Sequence, residues 1–162
     1  MQARIRWDLV TMAVAHGWSR AASGFDVRDH HADIGAEGRL FVIVSPRGDG
    51  RLHLDTIRMP EDMGAFDCER LRKLVDYQSR DGLPAFVRSE YFDRTAWYED
   101  GVSCIGHTAI WRLSSRPTIQ RDWYVAHGTA MANVWYRGAD ADHAAADIAD
   151  CEDMVRSIRF DR

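Results

Sequence analysis

The stretch from Phe86 to Tyr136 constrains this chain more than any other. It reads as three long strands in succession: Phe86–Arg94, about Val102–Leu113, and about Ile119–Tyr136. Breaks are available at Gly101, at Ser114–Pro117 and at Gly128. Four of the six tryptophans, Trp97, Trp111, Trp123 and Trp135, fall inside it. β-Branched and aromatic residues favour a half-buried ladder, and the Gly, Pro, Asp and Ser between the runs favour turns. Neighbours in a strand point to opposite faces, so a meander this aromatic carries rings on both sides and needs cover on both.

The flanking segments supply that cover. Trp7–Ala15 alternates as a first strand and ends at His16–Gly17–Trp18. Residues 19–39, with the polar run Asp29–His30–His31–Ala32–Asp33, read as loop with at most a short strand. Leu40–Val44 is a continuous apolar run, expected of a strand covered on both faces. Pro46–Gly50 is turn chemistry and Leu52–Ile57 alternates, so 39–58 reads as a hairpin. The Arg47–Gly48–Asp49 tripeptide is then part of a turn and not an adhesion signal. A helix is expected over Asp67–Arg80, with Asp67 as N-cap and Gly82 and Pro84 as the stop. A second is expected from Asp140 to about Arg156, docking through Ala141, Ala144, Ala145, Ile148, Cys151 and Val155. Its opposite face would carry Asp142, Asp147, Asp150, Glu152 and Asp153, with His143–Asp147 a surface pair. Ser157–Phe160 closes as a short strand.

Strands interrupted by two helices, without strict alternation, indicate an α+β domain with a mostly antiparallel sheet. Nothing divides residues 1–162, so one domain is expected. Two end pieces narrow the expectation. The strand running into Ala15-His16-Gly17-Trp18 resembles the opening of the PsbP-like and DcrB-like family. The closing Asp153-Met154-Val155-Arg156-Ser157-Ile158-Arg159-Phe160 is similar to the helix-to-strand ending of the same family. The likeness departs at Ala15, where the family often has proline, and in 19–39. It implies an α/β/α sandwich, and it implies accessory proteins, adaptors and Eag-type effector chaperones in place of enzymes. It transfers no catalytic residue.

The chemistry-bearing residues support few alternatives. A net charge of −4 and a pI near 5.9 argue against nucleic acid, which needs a clustered basic surface. No stretch is apolar enough for a secretory signal or a membrane span, so a cytoplasmic location is expected. Cys68, Cys104 and Cys151 are odd in number and far apart, and read as free, largely buried thiols. Adjacent histidines in Asp29–Asp33 would point apart and seldom share one ion, so no metal and no cofactor is expected. His107 and His127, with Asp122 or Asp93, could orient a general base, but no nucleophile signature accompanies them.

The expected function is therefore binding of another protein, as an adaptor, chaperone or immunity-type partner of a secreted effector or toxin. Tyr124 and Tyr136 are expected to line a concave, partly exposed sheet face, with Trp97 and Tyr98 also at the partner surface. Trp111, Trp123 and Trp135 are expected to be the better buried set. Two other readings stay open: a small-molecule binder or enzyme with a pocket near His107 and His127, and a self-associating module forming a homodimer.

Overall fold

The computed structural model describes residues 3–21, 41–73, 94–99, 101–113, 116–139 and 141–161. The elements in chain order are β1 (Ala3–Trp7), β2 (Val10–Val14), β3 (Ser19–Arg20), β4 (Phe41–Val44) and β5 (Arg51–Arg58). A 3-10 turn, Glu61–Met63, leads to helix α1, described over residues 68–73. Then come β6 (Arg94–Glu99), β7 (Val102–Leu113), β8 (Arg116–His127), β9 (Ala130–Gly138), helix α2 (Ala141–Arg156) and β10 (Arg159–Phe160). Seven strands form one sheet in the order β3-β4-β5-β9-β8-β7-β6, and β1-β2-β10 form a smaller one. Every described pairing is antiparallel. This is the α+β layout expected, a central antiparallel sheet with helices on both sides.

The meander has four described strands, one more than expected. Gly128, at φ +59°, turns with Thr129 and folds the long third run back on itself, pairing His127 with Ala130. Gly101, at φ +76°, turns β6 into β7, so the strand ahead of β7 is Arg94–Glu99. The expected strand Phe86–Arg94 lies outside the described residues apart from Arg94.

The N-terminal strand is also a hairpin. Asp8 takes φ 45°, a conformation that Asp tolerates because its short side chain can bond locally. Trp7 then pairs with Val10 across a two-residue turn. Thr56 Oγ1 donates a short hydrogen bond to Asp8 Oδ2, which ties the turn to the large sheet. Alternation along Trp7–Ala15 hid the reversal. The hairpin at 39–58 holds as β4 and β5, with Phe41 paired to Leu54. β4 is buried at Phe41 and Ile43 and only half-buried at Val42 and Val44, so its second face is less covered than its composition implied.

One face of the large sheet carries Leu52, Leu54, Cys104, Trp123, Val125, Ala132, Val134 and Tyr136. Against it pack Val10, Met12 and Val14 of the small sheet, and Ala144, Cys151, Met154 and Val155 of α2. On the other face Tyr124, Ala126 and Met131 meet Leu71 of α1, with Ile57 and Phe66 alongside. Asp67 caps α1 as expected, its Oδ1 accepting the Arg70 N–H at 2.7 Å. The rest of that expected helix, residues 74–80, lies outside the described residues.

α2 docks on a stripe different from the small-residue one expected. Ala144, Cys151 and Val155 are buried, Ile148 is half-buried, and Ala145 is exposed. Met154 and Asp147 join the buried set instead. Asp147 is no surface partner of His143. Its Oδ1 accepts from Ser45 Oγ at 2.6 Å and from Arg47 at 2.9 Å, and its Oδ2 accepts from the Tyr136 hydroxyl at 3.1 Å. Those donors offset the cost of burying the carboxylate. Arg47 also reaches Asp150 at 2.6 Å, and Asp150 accepts from Trp18 Nε1 at 3.0 Å. Asp49 accepts the Ala139 N–H at 3.1 Å. Both charged members of the Arg-Gly-Asp turn are thus engaged within the protein.

Candidate functional site

The hairpin at Gly128 decides where the tyrosines go. A two-residue turn pairs positions whose numbers differ in parity, so Tyr124 sits opposite Asn133 while Tyr136 sits opposite Arg121. Evenly spaced residues that would share one face of a continuous strand therefore lie on opposite faces. Tyr124 is 2% exposed on the α1 side, and Tyr136 is 1% exposed on the α2 side. The expected concave tyrosine face does not exist. Trp123 is buried as expected. Trp135 is only half-buried, its ring stacked on His53 at 5.0 Å. The side chains of Trp111 and Tyr98 lie outside the described residues.

The histidines part company for a similar reason. His107 pairs with Asp122, which stands five residues before His127 in β8. That odd separation puts the two positions on opposite faces, roughly 16 Å apart along the strand.

What the folding brings together instead is a rim at the C-terminal end of α2. Trp97 of β6 pairs with Cys104 and is half-buried. The Arg156 guanidinium lies over its ring, 4.3 Å from the centroid. Val102 is buried next along β7, and His127 at the end of β8 is exposed and stacks on Phe160 of β10, 6.1 Å between centroids. Phe160 is itself half-buried. Trp97 was expected at a partner surface from its sequence context. Arg156 was not, because it meets Trp97 through packing between a helix and a distant strand that no local pattern signals.

The opposite face of the sheet carries a polar patch. Arg137 Nε donates to Gln120 Oε1 at 2.6 Å, and Gln120 Nε2 donates to Asp122 at 2.8 and 3.0 Å. Asp122 is buried, and burial pushes its carboxyl up to about 7 against the opposing pull of Gln120, Arg137 and Arg121. One strand pair away, burial with the charges of Arg137 and Arg51 pushes the His53 imidazole down to about 4, so it is neutral at pH 7. Asp55, 1% exposed, accepts the Thr56 N–H at 2.8 Å. The alternating polar residues Thr118, Gln120 and Asp122 were the available sequence signal for this patch.

Cys104 and Cys151 are buried thiols, both pushed up by burial, and Cys68 is partly exposed. Among the described residues no group of three or more His, Cys, Asp or Glu comes together to hold a metal ion. The Asp29–Asp33 run lies outside them. No helix among them is long and apolar enough to cross a membrane.

No family model matches the chain, and no curated protein does. Solved structures do. LpqN of Mycobacterium tuberculosis, described as involved in cell envelope biogenesis, aligns at a TM-score of 0.63 with 10% identity, over 94% of this chain and 83% of LpqN. Cyanobacterial PsbP from Synechocystis sp. PCC 6803 aligns at 0.57 with 13% identity, over 94% of this chain and 86% of that one. A protein from Bacteroides thetaiotaomicron aligns at 0.57 with 11% identity over 95% of this chain. The chain spans 46% of that protein's length. At these identities the likeness establishes the fold, which is PsbP-like.

Proposed function

We propose that this protein is a non-catalytic accessory domain that binds another protein, acting in the cytoplasm as an adaptor, chaperone or immunity-type partner of a secreted effector or toxin. The observation that carries the proposal is the half-exposed Trp97 at the α2 rim. A large ring left partly open on a rigid strand beneath a guanidinium has the make-up of an interface anchor. The PsbP-like fold, which resembles that of accessory proteins, adds support by analogy alone. Replacing Trp97 with a photo-crosslinking p-benzoylphenylalanine in the native host should give one dominant adduct. Trp97→Ala should weaken binding of that partner by about 2 kcal/mol while leaving the melting curve close to wild type. A variant that binds unchanged moves the interface elsewhere.

The polar patch around Asp122 favours a second reading, a small polar ligand received on the opposite sheet face. A ligand that raises the melting temperature equally in wild type and in Trp97→Ala, but not in Asp122→Asn, would support it.

A further inference from the structure

We infer that the rim recognises an acidic segment of its partner, with a carboxylate seated on Arg156 beside an apolar side chain resting on Trp97. The inference rests on the proposed protein-binding role and specifies the partner's chemistry.

Three arginines gather where α2 ends, and two of them are accounted for locally. Arg4 donates to the Ser157 carbonyl at 3.5 Å, and Arg159 donates to the carbonyls of Arg156 and Ile158 at 3.0 and 2.8 Å. Cations placed there complement the negative end of the helix dipole. Arg156 does something else. Its side chain turns onto the Trp97 ring, and it makes no hydrogen bond or ion pair among the described residues.

The obvious intrahelical partner has been withdrawn. A Glu four residues ahead of an Arg is the favourable helical spacing, and Glu152 stands at that position. Its carboxylate instead takes the buried guanidinium of Arg121 at 2.9 Å, drawing it inward. Asp153, one turn ahead, is exposed and makes no bond to Arg156. A guanidinium held on an aromatic face keeps its N–H fork in a fixed orientation, suited to bidentate capture of a carboxylate. Merely shielding the indole would need only a long aliphatic stem. The overall charge of −4 makes a polyphosphate backbone the poorer occupant.

The test uses the intact protein and two fluorescein-labelled probe peptides, Glu-Glu-Leu-Phe-Glu-Glu and Gln-Gln-Leu-Phe-Gln-Gln, followed by fluorescence anisotropy. The acidic peptide should bind at least about tenfold more tightly than its amide counterpart, and added salt should erode the difference. Arg156→Gln should abolish the preference without lowering affinity for the amide peptide, and Arg156→Lys should restore only part of it. Melting curves confirm that both variants fold. Equal affinity for the two peptides overturns the inference, as does a preference that survives Arg156→Gln. So does no binding of either peptide at about 1 mM, where a contact worth about 4 kcal/mol would be seen. Should both peptides bind equally and Trp97→Ala release both, docking at the rim stands and carboxylate recognition falls.

Discussion

His53 and Asp122 occupy the same face of the central sheet, two strands apart, and their titrations oppose one another. Asp122 has its folded-state carboxyl raised from the ordinary 3.8 to about 7. Between those values the folded protein holds a proton that the unfolded chain has released. Its stabilising contribution is complete below about 3.8 and is lost as pH rises through 7. His53 has its imidazole lowered from 6.5 to about 4. Here the unfolded chain takes a proton that the folded protein refuses, so this contribution is complete above 6.5 and is lost as pH falls through 4. A tenfold change in proton affinity corresponds to about 1.4 kcal/mol. Each group is therefore worth on the order of 3–5 kcal/mol across its window, and from about pH 4.5 to 6 the two slopes cancel.

Single substitutions expose what the pair conceals. Relative to wild type, Asp122→Asn leaves His53 unopposed, and stability should fall by on the order of 2 kcal/mol between pH 6.5 and 4.5. His53→Gln leaves Asp122 unopposed, and stability should rise by a similar amount over the same interval. Urea denaturation at half-unit pH steps measures both, and the difference from wild type removes the contribution of all other carboxylates. Parallel curves for wild type and both variants would refute the reasoning, because neither group would then be desolvated as the structure has it. Curves that diverge in the same direction would refute the opposition.

Asp147→Ala removes the acceptor shared by Ser45, Arg47 and Tyr136 and strands two buried hydroxyls. It should cost about 3 kcal/mol or more in denaturant unfolding, and a loss below about 1 kcal/mol would mean that α2 does not dock through this carboxylate. Gly50→Ala would set a Cβ 2.3 Å from Asp147 Oδ2 and 2.8 Å from the Tyr136 hydroxyl. Thermal melting should register a loss of about 2 kcal/mol, and a neutral result would show that the network can shift aside.

What could be read from the sequence was what local chemistry dictates. The Asp67 cap, the hairpin between β4 and β5, the antiparallel layout and the burial of Trp123 each follow from neighbouring residues. The turns at Asp8 and Gly128 did not reveal themselves fully. A two-residue turn shifts the alternation by one position, and where both faces carry apolar residues that slip leaves no mark, so a hairpin reads as a long strand while reversing which residues share a face. That single ambiguity misplaced Tyr124 against Tyr136. Asp147 was misread because a carboxylate on a helix is normally solvated, and its donors come from a turn about a hundred residues earlier. Trp97 was singled out by its chemistry, but the Arg156 above it arrives from another layer. No spacing rule encodes that meeting.

The pairing of β10 with β2 has a kinetic corollary. The Ala13 N–H donates to Ser157 Oγ across 144 positions, and Arg6 pairs with Asp161 across 155. At ribosomal rates of about 5–20 residues per second, β2 waits roughly 7–30 s after emerging before its last neighbour exists. During that interval Val10, Met12 and Val14 have neither β10 nor α2 to cover them. Most of the large sheet can assemble by neighbouring hairpins while synthesis continues, but the small one closes only once Arg159 and Phe160 have emerged. A nascent chain stalled short of Ser157 should therefore be a protease-sensitive, aggregation-prone species, and Ser157, Arg159 and Phe160 act as the clasp that ends that exposure.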